Sequence, residues 1–236
     1  MYSILKSKNL IAAIELVGFV AFALILKRAF DPLFWRYAGP VSLIIVLIVL
    51  SGYMRIRRET WAGMGLIALP GARAKLMLIP KTLLAFVGFA IAVATVLLGG
   101  EVLNLEFMSE IPEGVEDRWG DIKGNLPLYL LWLGIVWTAA AFGEEMFFRG
   151  FIITRLQSVF SGVKFASVIA VILAAAFFGY VHMYYQGLRG FFTTGAIGLA
   201  FGATFLLMKR NLYPVILVHG IVDTLGFTAR FMDWDA

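Results

Sequence analysis

Long apolar stretches separated by short polar clusters dominate the chain. Runs with few or no charges recur at roughly 9–26, 37–54, 76–98, 127–148, 165–183, 188–208 and 212–229. Each is close to the roughly 17–25 residues that a helix needs to cross a bilayer. The pattern predicts an all-α, polytopic membrane protein of about seven transmembrane helices. The stretch 59–75, ETWAGMGLIALPGARAK, is too short and too glycine-rich to span and is assigned to the interface. Residues 101–126 form the longest polar segment, with Glu101, Glu106, Glu110, Glu113, Glu116, Asp117 and Asp121 against Arg118 and Lys123. It reads as an acidic extramembrane loop, solvated, with a short surface helix. The organisation expected is three membrane helices over 1–100, the acidic loop over 101–126, and a second helical group over 127–236.

Composition supports that reading and narrows it. Apolar residues make up 61% of the chain and charged residues 15%, well below the roughly 25% of a soluble domain. Cysteine is absent, which excludes disulfides and thiolate metal sites. A net charge of +5 would suggest nucleic acid in a soluble protein. Here the basic residues flank apolar runs, so membrane lipid, and not nucleic acid, is the expected partner. The first run lacks a small-residue cleavage site and is expected to be a retained span. Lys6, Lys8, Arg55, Arg57, Arg58, Arg73 and Lys75 share the side of the N-terminus, while the acidic loop lies opposite. The positive-inside rule then puts the N-terminus in the cytoplasm of an integral, multi-pass protein, in a bacterial-type plasma membrane.

The charges left inside the apolar runs carry the chemistry. Of fifteen acids, only Glu15, Glu144, Glu145 and Asp223 fall inside spans, and both histidines, His182 and His219, lie in or at the ends of spans. An ionisable group in hydrocarbon is costly and marks a functional site by default. Three of those acids and both histidines crowd into the last hundred residues, which predicts one polar site inside the helical bundle. His219 and Asp223 are four apart and share a helix face, as do Glu145 and Arg149, with the acid in the favourable N-terminal position. Glu144 is rotated by about 100° from Glu145. It has no basic partner on its own helix and is expected to face His182 and His219. Glu15 is isolated and reads as packed against a polar neighbour. Gly190, Thr194, Gly198 and Gly202 read as a close packing face, and Phe178 as packing that shapes the site beside His182.

Two imidazoles with one or two carboxylates are the ligand set of a hydrolytic zinc site. Without metal, the same groups run general-base hydrolysis, a glutamate taking the proton from water. No GxSxG and no HExxH motif occurs.

Three motifs stand in order: EEMFFR at 144–149, FGYVH at 178–182 and HGIVD at 219–223. They resemble the EExxxR, FxxxH and HxxxN/D motifs of the CPBP family of intramembrane proteases, which groups type II CAAX prenyl endopeptidases with bacteriocin-processing (Abi-like) enzymes. The resemblance covers roughly 126–229. It implies a membrane metalloendopeptidase whose catalytic core is the second helical group, acting on membrane-associated or lipidated peptides. By position, Glu144 would activate water with His182, and Glu145 and Arg149 would form a supporting pair. His219 and residue 223 would bind metal or stabilise an oxyanion. A divalent ion, Zn²⁺, is expected on Glu144, His182, His219 and Asp223, with a metal-free glutamate route as the alternative. Position 223 is Asp where the prenyl endopeptidases usually carry Asn. An ionised carboxylate cannot donate to an oxyanion, so this departure favours a ligand or histidine-orienting role. A proton-coupled carrier built on the same buried groups, or an inert protease-like scaffold or immunity protein, are the competing readings.

Overall fold

The computed structural model describes residues 2–109 and 112–234, with side chains from residue 8 onward. Glu110 and the side chain of Lys6, counted above, lie outside the described residues. All regular structure among the described residues is helical. Five helices are long and apolar enough to cross a membrane by length and composition. They are α1 (Tyr2–Ile56), α2 (Gly71–Val102), α3 (Leu126–Val159), α4 (Ala166–Leu207) and α5 (Tyr213–Met232).

Five helices stand where about seven separate spans are expected, because two of the five bend back on themselves. α1 is interrupted at Phe34, whose backbone is extended, between Pro32 and Pro40. Tyr53 donates to Glu15 across 2.8 Å, and the Phe19 and Tyr53 rings meet at 5.5 Å. An unbroken helix would hold residues 15 and 53 about 57 Å apart, so the two arms lie antiparallel. α4 turns at Gly187, where φ is +58°, a conformation that favours glycine. Its arms touch backbone to backbone. A Cβ on Gly198 would lie 3.0 Å from the Ala175 Cα, one on Gly179 would run into the Phe191 carbonyl, and one on Gly202 would lie 2.8 Å from the Val171 side-chain Cγ1. Gly198 and Gly202 of the small-residue stripe thus lie on the inner face of a helical hairpin.

The centre of the bundle is α3. It is buried continuously from Glu145 to Ile153 and winds as a wider π-type helix over Val136–Ile152, a form that recurs at functional sites. Phe147, Phe148 and Phe151 join Leu50, Met54, Phe201, Phe205 and Val215 in one apolar core around it. Glu15 locks one end: its carboxylate meets Arg155 of α3 at 2.7 Å and Arg57 at 3.4 Å. That network ties both arms of α1 to α3 and is structural.

The acidic segment differs from the solvated loop expected. It folds into short helices at Glu106–Ser109 and Glu113–Trp119, whose described acids face outward while Met108, Arg118 and Ile122 are buried. The Trp119 ring packs edge-on against Trp132 at 4.9 Å and Phe227 at 4.8 Å. Burial of the aromatic face outweighs the solvation of its acidic neighbours, so this segment caps one mouth of the bundle. Arg230 of α5 pairs with Glu116 at 2.7 Å and fastens the cap.

Candidate active site

Three helices deliver the charged residues to one point. Glu144, Glu145 and Arg149 come from the π-type stretch of α3, His182 from the first arm of α4, and His219 and Asp223 from α5. Glu145 is fully buried and accepts through Oε1 from two directions. Arg149 Nη1 donates at 2.9 Å, as the four-residue spacing predicts, and His219 Nδ1 donates at 2.8 Å. The second bond, between residues 74 positions apart, is not foreseen by spacing. It makes Glu145 the anchor of His219 as well as the counter-ion of Arg149. The Arg149 guanidinium also lies 4.4 Å over the Phe178 ring, a cation–π contact that helps hold a desolvated charge.

His182 is fixed differently. Its Nδ1 lies 2.7 Å from the Phe178 carbonyl oxygen, which can only accept, so Nδ1 carries the proton. The neutral ring then presents a bare Nε2. The same logic holds for His219, whose Nδ1–H points at a carboxylate. Both Nε2 atoms face Glu144 Oε2, at 3.9 Å from His182 and 4.0 Å from His219. Glu144 Oε2 is buried and has no hydrogen-bond partner among the described residues. Asp223 approaches His219 Nε2 to 3.5 Å, beyond a good hydrogen bond. Glu144 therefore faces both histidines and Glu145 holds Arg149, as the sequence suggests, while Asp223 stands at the rim.

Three lone-pair-bearing atoms converging at about 4 Å leave room for a small donor between them. A water would satisfy two of the three. The donor set also suits Zn²⁺, yet the spacing does not. Ligands at about 2.0–2.2 Å around a tetrahedral zinc sit roughly 3.3–3.6 Å from one another. Among the described residues no group of three His, Asp or Glu side chains is placed to hold an ion. Glu144, His182, His219 and Asp223 thus share one site without closing to metal-binding distance.

The cluster opens into a cavity of about 440 Å³ walled largely by aromatic and aliphatic side chains. Arg118, Trp119, Tyr185 and Gln186 line it as well, and sequence reasoning misses all four. For Arg118 and Trp119 the one available signal is a tryptophan and an arginine side by side within an acidic segment.

Residues 126–225 match the family model described as Type II CAAX prenyl endopeptidase Rce1-like. No curated protein and no solved structure matches the chain. The matched segment contains all three motifs and every residue of the polar cluster. The match covers 100 of the 236 residues and supports a CPBP-family assignment for that segment.

Proposed function

We propose that this protein is an intramembrane endopeptidase in which Glu144 activates a water molecule against a peptide carbonyl. One observation carries the reading: the unpartnered Oε2 of Glu144 faces the bare Nε2 atoms of two oriented histidines inside an apolar cavity. Water held there donates one hydrogen to Glu144 and the other to His182. As Glu144 takes its proton, the water oxygen adds to the carbonyl carbon, and the carbonyl π pair moves to oxygen. Collapse of the tetrahedral species expels the amine, which receives the proton from Glu144, leaving a carboxylic acid and an amine. Glu145 and Arg149 anchor His219, whose Nε2 bounds the water site on its other side. No step passes through a metal.

Counting each arm of α1 and α4 as a crossing, we take the chain to cross the membrane seven times with the N-terminus in the cytoplasm. The helices of residues 1–100 support a catalytic core over 127–236. Substrates are membrane-associated peptides, and a lipid group on them suits the apolar cavity. The test is mass spectrometry of membrane peptides incubated with vesicle-reconstituted protein and with a Glu144→Gln variant. Cleavage products formed only by the unsubstituted protein support the reading. Solute flux through sealed vesicles with no product would favour the carrier.

A further inference from the structure

The end of the bundle opposite the aromatic cap is cationic, and its acids are already used. Among the described residues those acids are Glu15, paired with Arg57 and Arg155, and Glu59, paired with Arg155. Arg210, in the turn between α4 and α5, is left without a carboxylate. Its one hydrogen bond among the described residues runs from Nη2 to Thr154 Oγ1 of α3, and its Nε is buried with no partner. Burial pushes the guanidinium below its ordinary pKa, and no carboxylate offsets the effect. The Phe205 ring, 5.9 Å from the guanidinium carbon, is at the limit of a cation–π contact. A desolvated charge without a counter-ion is costly. The backbone adds to that cost. Lys209 and Arg210 hold φ at +57° and +60°, a left-handed conformation that L side chains rarely adopt. The turn is nonetheless firmly seated: the Leu212 N–H donates to the Gly65 carbonyl at 3.0 Å, and a Cβ on Gly150 of α3 would lie 3.1 Å from the Met64 carbonyl oxygen. Strain that the surroundings enforce in this way clusters at ligand clamps.

We propose that Arg210 binds the phosphate of an anionic phospholipid from the surrounding leaflet, holding one lipid against α3 and the α4–α5 turn. A phosphate diester offers two oxygens to a guanidinium, which meets them through parallel hydrogen bonds. Arg210 is half-buried, so a headgroup can reach it from the bilayer surface. Leu207, at the end of α4, is 80% exposed, which sets apolar surface for acyl chains beside the charge; a free phosphate would leave that surface bare. The surrounding charge selects the headgroup. Lys209 adjoins Arg210 in the chain, and Arg73 and Lys75 stand in the first turns of α2. A zwitterionic headgroup would bring its own cation into this basic surface, whereas phosphatidylglycerol brings negative charge alone. Thr154, which orients the guanidinium, lies on the helix that carries Glu144, so a lipid held here braces the far end of that helix.

The test follows the thermal midpoint and the native mass spectrum of the full chain in detergent, with phosphatidylglycerol, phosphatidylcholine or inorganic phosphate added. Phosphatidylglycerol raises the midpoint saturably, as a ligand of the folded state does, and one lipid per chain survives into the spectrum. Arg210→Gln weakens its affinity by about tenfold to a hundredfold, the range for a hydrogen bond to a charged group. Arg210→Lys, which keeps the charge without the fork, loses part of the affinity and serves as the readout where the Gln variant does not fold. Arg73→Gln removes the same charge from an exposed position and leaves the affinity unchanged. Undiminished affinity in the Arg210 variants, or no saturable binding, overturns the proposal. So does an equal loss in Arg73→Gln, which would show diffuse attraction to a basic surface. Phosphatidylcholine binding as tightly as phosphatidylglycerol, or inorganic phosphate doing so, overturns it as well. No cleavage is read, so the outcome stands whether or not Glu144 activates water.

Discussion

Replacing Glu145 by Gln separates the support of the site from its chemistry. Glu145 Oε1 receives both Arg149 Nη1 at 2.9 Å and His219 Nδ1 at 2.8 Å, in a position with no exposure to solvent. Gln keeps the shape and one accepting oxygen but removes the negative charge. Arg149, 2% exposed, then becomes a buried cation without an ion-pair partner, held by the Phe178 and Phe201 faces. Those faces are present in both proteins and do not offset the loss. Removing one partner of a buried pair costs about 3–5 kcal/mol. For a chain of this size that lowers the thermal midpoint by roughly 6–20 °C. Cleavage falls too, since His219 loses its charged anchor. The double variant Glu145→Gln with Arg149→Met removes the stranded charge and regains most of the stability, yet stays inactive. Thermal unfolding in detergent, paired with a peptide-cleavage assay, reads both effects. A single variant that melts with the unsubstituted protein, or a double variant less stable than the single one, would refute this account of Glu145.

Asp223→Asn leaves cleavage unchanged or raises it. The 3.5 Å separation from His219 Nε2 is too long for a strong orienting bond, and an amide can donate to an oxyanion; a fall of about tenfold or more, as for a lost orienting partner, would contradict this. Stripping metal with a strong chelator leaves activity intact, because the site does not close to zinc-ligand spacing; loss of activity restored by added Zn²⁺ would show that the three side chains draw together around an ion. Gly179→Ala destabilises the protein, because its Cβ meets the Phe191 backbone oxygen and the two arms of α4 must part; an unchanged thermal midpoint would mean that the hairpin packs less closely.

The apolar runs were legible because bilayer thickness sets their length, and most of their ends fall within a few residues of a helix end or break, while α1 continues to Phe34 and α3 to Val159, well past 26 and 148. The charged and proline-containing stretch around Phe34 and the glycine at 187 mark where helices stop being straight, but hydropathy cannot say that the helical winding resumes at once beyond them. Within the site, the four-residue spacing exposed the Glu145–Arg149 pair because a helix alone dictates it. The bond from His219 to Glu145 depends on how α5 packs against α3, which no local pattern encodes. Arg118 was hidden by its neighbours. The acids around it made the segment look solvated, and only packing of Trp119 onto Trp132 and Phe227 turns it inward.

The central claim is that Glu144 delivers water to a peptide bond inside the bundle. Cleavage in ¹⁸O-labelled water, followed by mass spectrometry of the new C-terminus, tests it most directly. The account predicts one ¹⁸O atom in each newly formed carboxyl group. It also predicts that Glu144→Gln slows product formation by at least about 10²-fold, the low end of a general base's contribution, with an unchanged thermal midpoint. Labelled product appearing at an undiminished rate from the Glu144→Gln protein would contradict it.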